Sequence, residues 1–129
     1  MKQTDENWVQ ATVLHGDRQG RTIGYPTVNL DPSLLPVDLT RGVYACTVRY
    51  DGMTYLGALY FGPKLVNNKE ADVLEIHLLE FNKTIYGEEI QFKLADFIRG
   101  VMDFDSYPDL RKQLMADIAE IEERTHAAA

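Results

Sequence analysis

The sequence has a single cysteine, Cys46, among its 129 residues. One thiol cannot form an internal disulfide, so the fold cannot depend on covalent cross-links. Because Cys46 alternates with apolar neighbours, we expect it to be a small buried side chain. No apolar run approaches the ~20 residues that a membrane-spanning helix needs, and Met1 to Asn7 lack the apolar centre of a signal peptide. These absences favour a soluble, cytoplasmic protein with no membrane partner.

Basic residues are also scarce, since 13 Lys and Arg face 20 Asp and Glu and give a formal net charge of −7. Nucleic-acid binding needs clustered cations that displace counterions from phosphates, so we expect no nucleic-acid partner. A small anionic ligand is compatible with this charge, because backbone N–H groups and a metal ion can override the overall sign. The length fits one monomeric domain over residues 1–129, with residues 1–7 as a loose tail.

Helical periodicity is missing from most of the chain, and strand-like alternation takes its place. Short strands without helices between them favour a closed barrel, because closure removes the exposed edges of an open sheet. We therefore predict a mainly β fold, a six-stranded antiparallel, Greek-key-like barrel with a C-terminal α-helix. The predicted strands are Trp8–Leu14, Tyr25–Leu30, Gly42–Tyr50, Met53–Phe61, Val73–Phe81 and Glu88–Ile98.

Two of these strands indicate which side chains face the core. The third and the sixth alternate cleanly, and the helix begins at the capping-box-like stretch Ser106 to Asp109. An apolar helical stripe follows that can cover the barrel. The expected inward residues are Tyr44, Cys46, Val48 and Tyr50 in the third strand and Ile90, Phe92, Leu94 and Ile98 in the sixth; the helical stripe is Leu110, Leu114, Ile118 and Ile121.

A glycine-rich stretch runs from His15 to Leu30. Its glycines allow backbone N–H groups to approach a phosphate, and Arg21 adds a positive charge. Thr27 and Asn29 lie two apart, so they share a face if this piece is extended, and their oxygens suit a hard cation such as Mg²⁺. The alternative interpretation is a glycine-rich hairpin loop in which both side chains bond nearby backbone.

Glu75 is the carboxylate that the pattern singles out, because it shares a predicted strand face with Val73, Leu79 and Phe81. A half-buried carboxylate is costly unless it is paired or used, and burial raises the pKa of such a group toward the range of a general base. The alternative is that His77, two residues further on, or an arginine from elsewhere in the chain simply pairs with it. The scattered histidines show no zinc spacing.

These segments together resemble the riboflavin kinase family, whose members make FMN and are often fused to an FAD synthetase domain. The likeness begins with Gly16-Asp-Arg-Gln-Gly-Arg-Thr-Ile-Gly-Tyr-Pro-Thr-Val-Asn-Leu30 and covers about Val13 to Asp117. It continues in order through further matching segments. These are Gly42-Val-Tyr-Ala45, Leu74-Glu-Ile-His-Leu-Leu79, Ile85-Tyr-Gly87, Ile98-Arg99 and Phe104-Asp-Ser106.

The resemblance implies an ATP-dependent phosphorylation of the riboflavin 5′-hydroxyl, with Mg²⁺ as cofactor and ATP and riboflavin as substrates. It assigns Glu75 as the base that accepts the hydroxyl proton, and Thr27 and Asn29 as holders of Mg²⁺, with Thr27 also at ATP. Binding roles are implied for two further sets of residues. Those at ATP are Gly16, Arg21, Leu78, Glu80 and Tyr86; those at the flavin are Arg99, Met102 and Phe104.

The sequence departs from the family pattern at two places. The stretch Phe61 to Leu65 is shorter than usual and lacks a threonine, and Met102 stands where a lysine is common. These differences keep two alternatives open: a barrel that binds flavin or nucleotide without turnover, and a kinase for another small alcohol. The length leaves no room for an FAD synthetase domain, so the expectation is a free-standing kinase.

Overall fold

The computed structural model describes residues 8–15, 27–63 and 72–128. Gly16 and Arg21, two of the residues predicted to bind ATP, lie outside these ranges. Within them the chain forms six strands, one short 3₁₀ turn and one long helix. In chain order these are β1 (Val9–Thr12), β2 (Thr27–Leu30), the 3₁₀ turn (Pro32–Leu34), β3 (Gly42–Tyr50), β4 (Met53–Pro63), β5 (Asp72–Leu78), β6 (Glu89–Gly100) and α1 (Tyr107–Ala128).

All six strands belong to one antiparallel sheet with the order β1-β6-β3-β4-β5-β2. The sheet curls into a half-barrel, and its two edge strands meet where Leu14 donates its N–H to the Asn29 carbonyl at 2.8 Å. The β3–β4 hairpin turns through Asp51 and Gly52, both with positive φ, as a two-residue hairpin requires. The predicted fold class is confirmed.

The inner face of the curled sheet forms the main core. The predicted inward alternation of β3 is confirmed, with Cys46 and Val48 fully buried. Apolar side chains from every strand meet there, which is the favourable burial that stabilises a small domain. The members of this core with no more than 2% exposure are Val13, Cys46, Val48, Leu59, Leu74, Ile76, Leu78, Ile90 and Phe92.

Helix α1 covers part of the outer face. Ser106 caps its first turn by accepting the Asp109 N–H at 3.3 Å, as the capping signal predicts. Small side chains at Ala45 and Ala58 let the helix approach the sheet closely. The predicted apolar stripe is confirmed as the packing surface of the helix: Leu114, Ile118 and Ile121 are buried there, and Leu110 packs beside them. No helix in the described part of the chain is long and apolar enough to cross a membrane.

Two predicted facings are wrong, each for a local backbone reason. Ile98 packs against the helix side and not inward, because two register shifts in the β3–β6 pairing change the facing of the end of β6. Phe97 lies opposite Tyr44 in the strand pairing and makes an edge contact with its ring, and 44% of Phe97 stays exposed. Phe81 belongs to the inner core and does not share the face of Glu75, because β5 ends at Leu78 before the chain turns.

Candidate active site

A row of polar side chains crosses the outer face of the sheet. Strand register places Asn29 of β2 directly opposite Glu75 of β5, and Glu75 directly opposite Tyr60 of β4. Directly opposed residues share a face and have Cβ atoms about 5 Å apart. An amide, a carboxylate and a phenol are thus side by side across three adjacent strands, with Asn29 and Glu75 half-buried.

A second row lies beside the first on the same face. Thr27 is opposite His77, and His77 is opposite Ala58 under the helix. Thr27 and Asn29 are therefore neighbours along one edge, as the sequence spacing predicts. The two rows bring together the proposed base and both proposed metal ligands from separate strands of the chain.

His77 is almost fully buried, with 8% of its surface exposed. Burial lowers the pKa of its imidazole to about 4, although a hydrogen bond with the Ala58 backbone and the charge of Asp117 oppose the shift. At neutral pH it is therefore uncharged. A neutral His77 supplies no positive charge to Glu75, which weakens the alternative that the two residues form an ion pair.

Tyr60 is a site residue that the sequence reasoning missed. Its hydroxyl donates to the Pro63 carbonyl, and it is only 6% exposed. Burial first, and the charge of Glu75 second, raise the pKa of the phenol. The hydroxyl thus fixes the end of β4, where this chain departs from the family pattern. The alternation of side chains along Met53–Phe61 could have identified it, because that alternation puts Tyr60 on the other face of the strand from Leu59 and Phe61.

Three of the residues predicted at the nucleotide, Leu78, Glu80 and Tyr86, lie at or after the end of β5 in the chain. Leu78 points into the inner core, while Glu80 is exposed and has a left-handed backbone with φ 57°. Tyr86 stacks on His15, with ring centroids 4.1 Å apart. His15 is the first residue of the glycine-rich stretch, so this aromatic pair marks the place where that stretch begins.

The residues predicted at the flavin surround the segment between β6 and α1. Met102 is 40% exposed and Phe104 is half-buried. Arg99 is engaged by the protein itself: its guanidinium binds the Asp117 carboxylate at 2.9 and 2.8 Å, and also donates to the Gly100 carbonyl at 2.9 Å. Asp117, a second residue missed from the sequence, lies in the helix stripe beside Leu114 and Ile118.

The donor set fits a hard cation better than a transition metal. Within residues 8–15, 27–63 and 72–128, no three His, Cys, Asp or Glu side chains form a cluster that could hold a metal ion. Thr27 and Asn29 provide neutral oxygen donors on one edge. Magnesium ions commonly take few protein ligands and complete their shell with water and substrate phosphates. These two residues therefore suit Mg²⁺ bound together with a nucleotide.

The described chain is thus a curled antiparallel sheet with a polar row on its outer face beside a covering helix. The family model described as Flavokinase, riboflavin kinase, matches residues 5–125. The chain belongs to the riboflavin kinase family.

Relatives with the same kinase domain extend this finding. The chain is 38% identical over 112 residues to the bifunctional riboflavin kinase/FMN adenylyltransferase of Listeria monocytogenes, covering 84% of this chain and 35% of that protein. It is 36% identical to the protein of that description from Haemophilus influenzae, covering 82% and 34%. A crystal structure described as a macrolide-efflux protein from Streptococcus pneumoniae has a TM-score of 0.72 and 34% identity, covering 89% of this chain and 38% of that one.

The chain spans about a third of the length of these bifunctional relatives. One further relative, the RNA-binding riboflavin kinase RibR of Bacillus subtilis, is 34% identical over 90% of this chain and 50% of its own length. Its name attributes RNA binding to that protein. The expectation that this chain has no nucleic-acid partner stays a prediction.

Proposed function

We propose that this protein transfers the terminal phosphoryl group of ATP to the 5′-hydroxyl of riboflavin, giving FMN and ADP. The observation that carries the proposal is the strand register that places Glu75 opposite Asn29, with Thr27 one row away. Phosphoryl transfer requires positioning and charge neutralisation more than covalent chemistry, and one base serves the acceptor hydroxyl. Family membership supports the same substrates.

Glu75 is proposed as the general base. Its strand position fixes the carboxylate more rigidly than a loop would. The inner-face neighbours Leu74 and Ile76 are almost completely buried, so the backbone on both sides of Glu75 is anchored in the core. The carboxylate accepts the hydroxyl proton as the oxygen attacks phosphorus, which contributes roughly 10²–10⁴ in rate for such a base.

Thr27 and Asn29 are proposed to hold Mg²⁺ through their side-chain oxygens. When bound, this ion neutralises phosphate charge and orients the transferred group. Edge strand β2 supplies both residues, and its pairing with β5 keeps them level with Glu75 and His77. The residues thereby set the distance between the phosphate donor and the base.

The remaining proposed contacts divide between the two substrates. Tyr86 stacks on His15, the first residue of the glycine-rich stretch, which supports a nucleotide role for Tyr86 together with Leu78, Glu80, Gly16 and Arg21. Met102 and Phe104 present apolar and aromatic surface in the segment after β6, which suits an isoalloxazine ring. Arg99 lies at the end of β6, immediately before this segment.

The proposal is tested by incubating the purified protein with riboflavin, ATP and Mg²⁺ and separating the flavins by chromatography. FMN should accumulate, and omission of Mg²⁺ should abolish it. Riboflavin binding without FMN would instead identify a non-catalytic binding barrel. Transfer of the ATP phosphoryl group to another small alcohol, with release of ADP and no FMN, would identify a different kinase. We further propose one cytoplasmic, monomeric domain over residues 1–129; size-exclusion chromatography with light scattering tests the monomer.

A further inference from the structure

The ion pair between Arg99 and Asp117 is a deeply buried charged contact. The Asp117 side chain is 2% exposed and that of Arg99 17%. Two parallel N–H···O bonds join them, and Gln113 donates a third bond to Asp117 at 2.9 Å. Such a bidentate, desolvated pair holds both partners in one geometry. Buried ion pairs often add little net stability, so this pair is better explained by the position in which it holds its two partners.

Arg99 stands at the start of the segment that joins β6 to α1. The segment, residues 101–106, is fixed at one end by Arg99 and Gly100 in β6 and at the other by the Ser106 cap of the helix. Asp117 lies about three turns along that helix, so its bond to Arg99 crosses from the helix back to the beginning of the segment. The ion pair therefore closes a loop whose middle carries Met102 and Phe104.

We propose that Asp117 is a positioning residue that acts through Arg99, and that their ion pair holds residues 101–106 in the conformation that receives the flavin. This proposal rests on the function proposed above. Arg99 then serves the flavin site indirectly: its guanidinium is used by Asp117 and Gly100, and it is not the cation beside the flavin carbonyls.

The helix contains a matched exposed ion pair that serves as a control. Arg124 donates to Glu120 at 2.8 Å on the solvent side, and both side chains are more than 40% exposed. Exposed pairs of this kind contribute little to stability. Glu120→Gln and Asp117→Asn both remove one carboxylate charge from the same helix, so a general effect of helix charge would appear in both variants.

The first measurement is hydrogen exchange of the protein without substrates. Asp117→Asn should speed exchange across residues 100–106 by about tenfold, the size expected for a coupled buried pair. Exchange in β3 and β4 should stay at the parent rate, as should the whole profile of Glu120→Gln. Unchanged exchange at 100–106 in Asp117→Asn would overturn the proposal whether or not the protein is a kinase.

The second measurement is riboflavin affinity by fluorescence titration, together with steady-state kinetics. The proposal predicts that Asp117→Asn and Arg99→Gln each weaken riboflavin binding by about tenfold, and that the double variant is no worse than either. The KM for ATP should not change. If Arg99 contacts the flavin directly, Asp117→Asn should leave riboflavin affinity equal or improve it, and that result would overturn the proposal.

The double variant also guards against a folding failure. Removing one partner of a buried pair leaves an uncompensated charge, whereas removing both is often neutral. The double variant should therefore melt near the parent temperature and still bind riboflavin weakly. A double variant with parent stability and parent riboflavin affinity would show that the pair has no positioning role. A parent protein that binds riboflavin but makes no FMN would refute the proposed reaction and leave this test of binding valid.

Discussion

One face of β5 packs in the core, whereas the other carries residues that we propose for the active site. Leu74, Ile76 and Leu78 point inward and are at most 2% exposed. Glu75 and His77 alternate with them on the outer face, where Glu75 meets Asn29 and Tyr60 across the neighbouring strands. Because the side-chain period of a strand is two, adjacent residues serve different environments. Substitutions on the two faces should accordingly affect different measurable quantities.

The strongest test of the outer face is Glu75→Gln. The change keeps shape and hydrogen-bonding reach but removes the base, so kcat should fall by roughly two to four decades, about 3 to 5 kcal/mol in activation free energy. Binding of both substrates should hardly change, and the melting temperature should also stay close to that of the parent. Steady-state kinetics beside a thermal melt gives the answer. A folded variant that makes FMN within a factor of about three of the parent would remove Glu75 from the mechanism.

The matching test of the inner face is Leu59→Ala. Leu59 is completely buried in the core and neighbours Tyr60 along β4. Its truncation should lower the free energy of unfolding by about 2 to 5 kcal/mol through lost burial and a residual cavity. Urea unfolding measures the loss. The fraction that remains folded should keep a kcat close to that of the parent, and a loss of kcat without a loss of stability would contradict the separation of the two faces.

The buried His77 gives the outer face a pH-dependent contribution to stability. Its pKa is lowered to about 4 in the folded protein, whereas an unfolded histidine titrates near 6.5. The unfolded state therefore binds more protons between these values, so stability is complete above about pH 6.5 and falls as the pH drops toward 4. The full loss is about 3 kcal/mol at 1.36 kcal/mol per pKa unit.

The measurement compares urea unfolding at pH 7 and pH 4.5 for the parent and for His77→Gln without substrates or metal. Other carboxylates and histidines contribute equally to both proteins, so the difference between their pH slopes reports His77. The variant should be less stable at pH 7 and lose less on acidification. Parallel slopes would mean that folding does not lower the pKa of His77.

Thr27→Ala should have the smallest effect of the four. Removal of one neutral oxygen ligand from a site that also uses Asn29, water and phosphates should weaken Mg-ATP binding by about tenfold, or 1.4 kcal/mol. Calorimetric titration with Mg-ATP measures this, and Thr27→Ser should recover most of the affinity because it retains the hydroxyl. Unchanged ATP affinity in a folded Thr27→Ala protein would refute the assignment of Thr27.

The parts of the fold that could be predicted from sequence are those that depend on local alternation. Two-residue periodicity placed all six strands, and the helical stripe identified the covering face, because burial of one face leaves a direct trace in sequence. The bounds of β3 agree completely with the prediction. The resemblance to the family motif then identified Glu75, Thr27 and Asn29 as candidate site residues. The pairing of β2 with β5, which brings them together, is visible only in the structure.

The parts that could not be predicted depend on tertiary contacts. The register shifts in β6 reverse the facing of Ile98, and no local signal distinguishes a bulged strand from a regular one. In the sequence, Tyr60 looks like any aromatic residue of a strand and Asp117 like any acidic residue of a helix. Their partners, Glu75 and Arg99, are distant in sequence, so no local pattern reveals the contacts. The ion pair of Arg99 could not be predicted for the same reason, because its carboxylate partner Asp117 comes from another element.

The close approach of β3 to β6 limits what can be inherited at one position. A Cβ atom added to Gly42 would lie 2.2 Å from the Arg99 carbonyl oxygen, whereas one added to Gly52 would meet nothing within 4 Å. Gly52 can be replaced by asparagine or aspartate, because both residues tolerate its left-handed backbone conformation. Residue 42 has no such freedom, because any side chain would push away the strand end that carries Arg99. Any relative that retains this approach of β3 to β6, and with it the position of Arg99 before residues 101–106, must therefore retain glycine at residue 42.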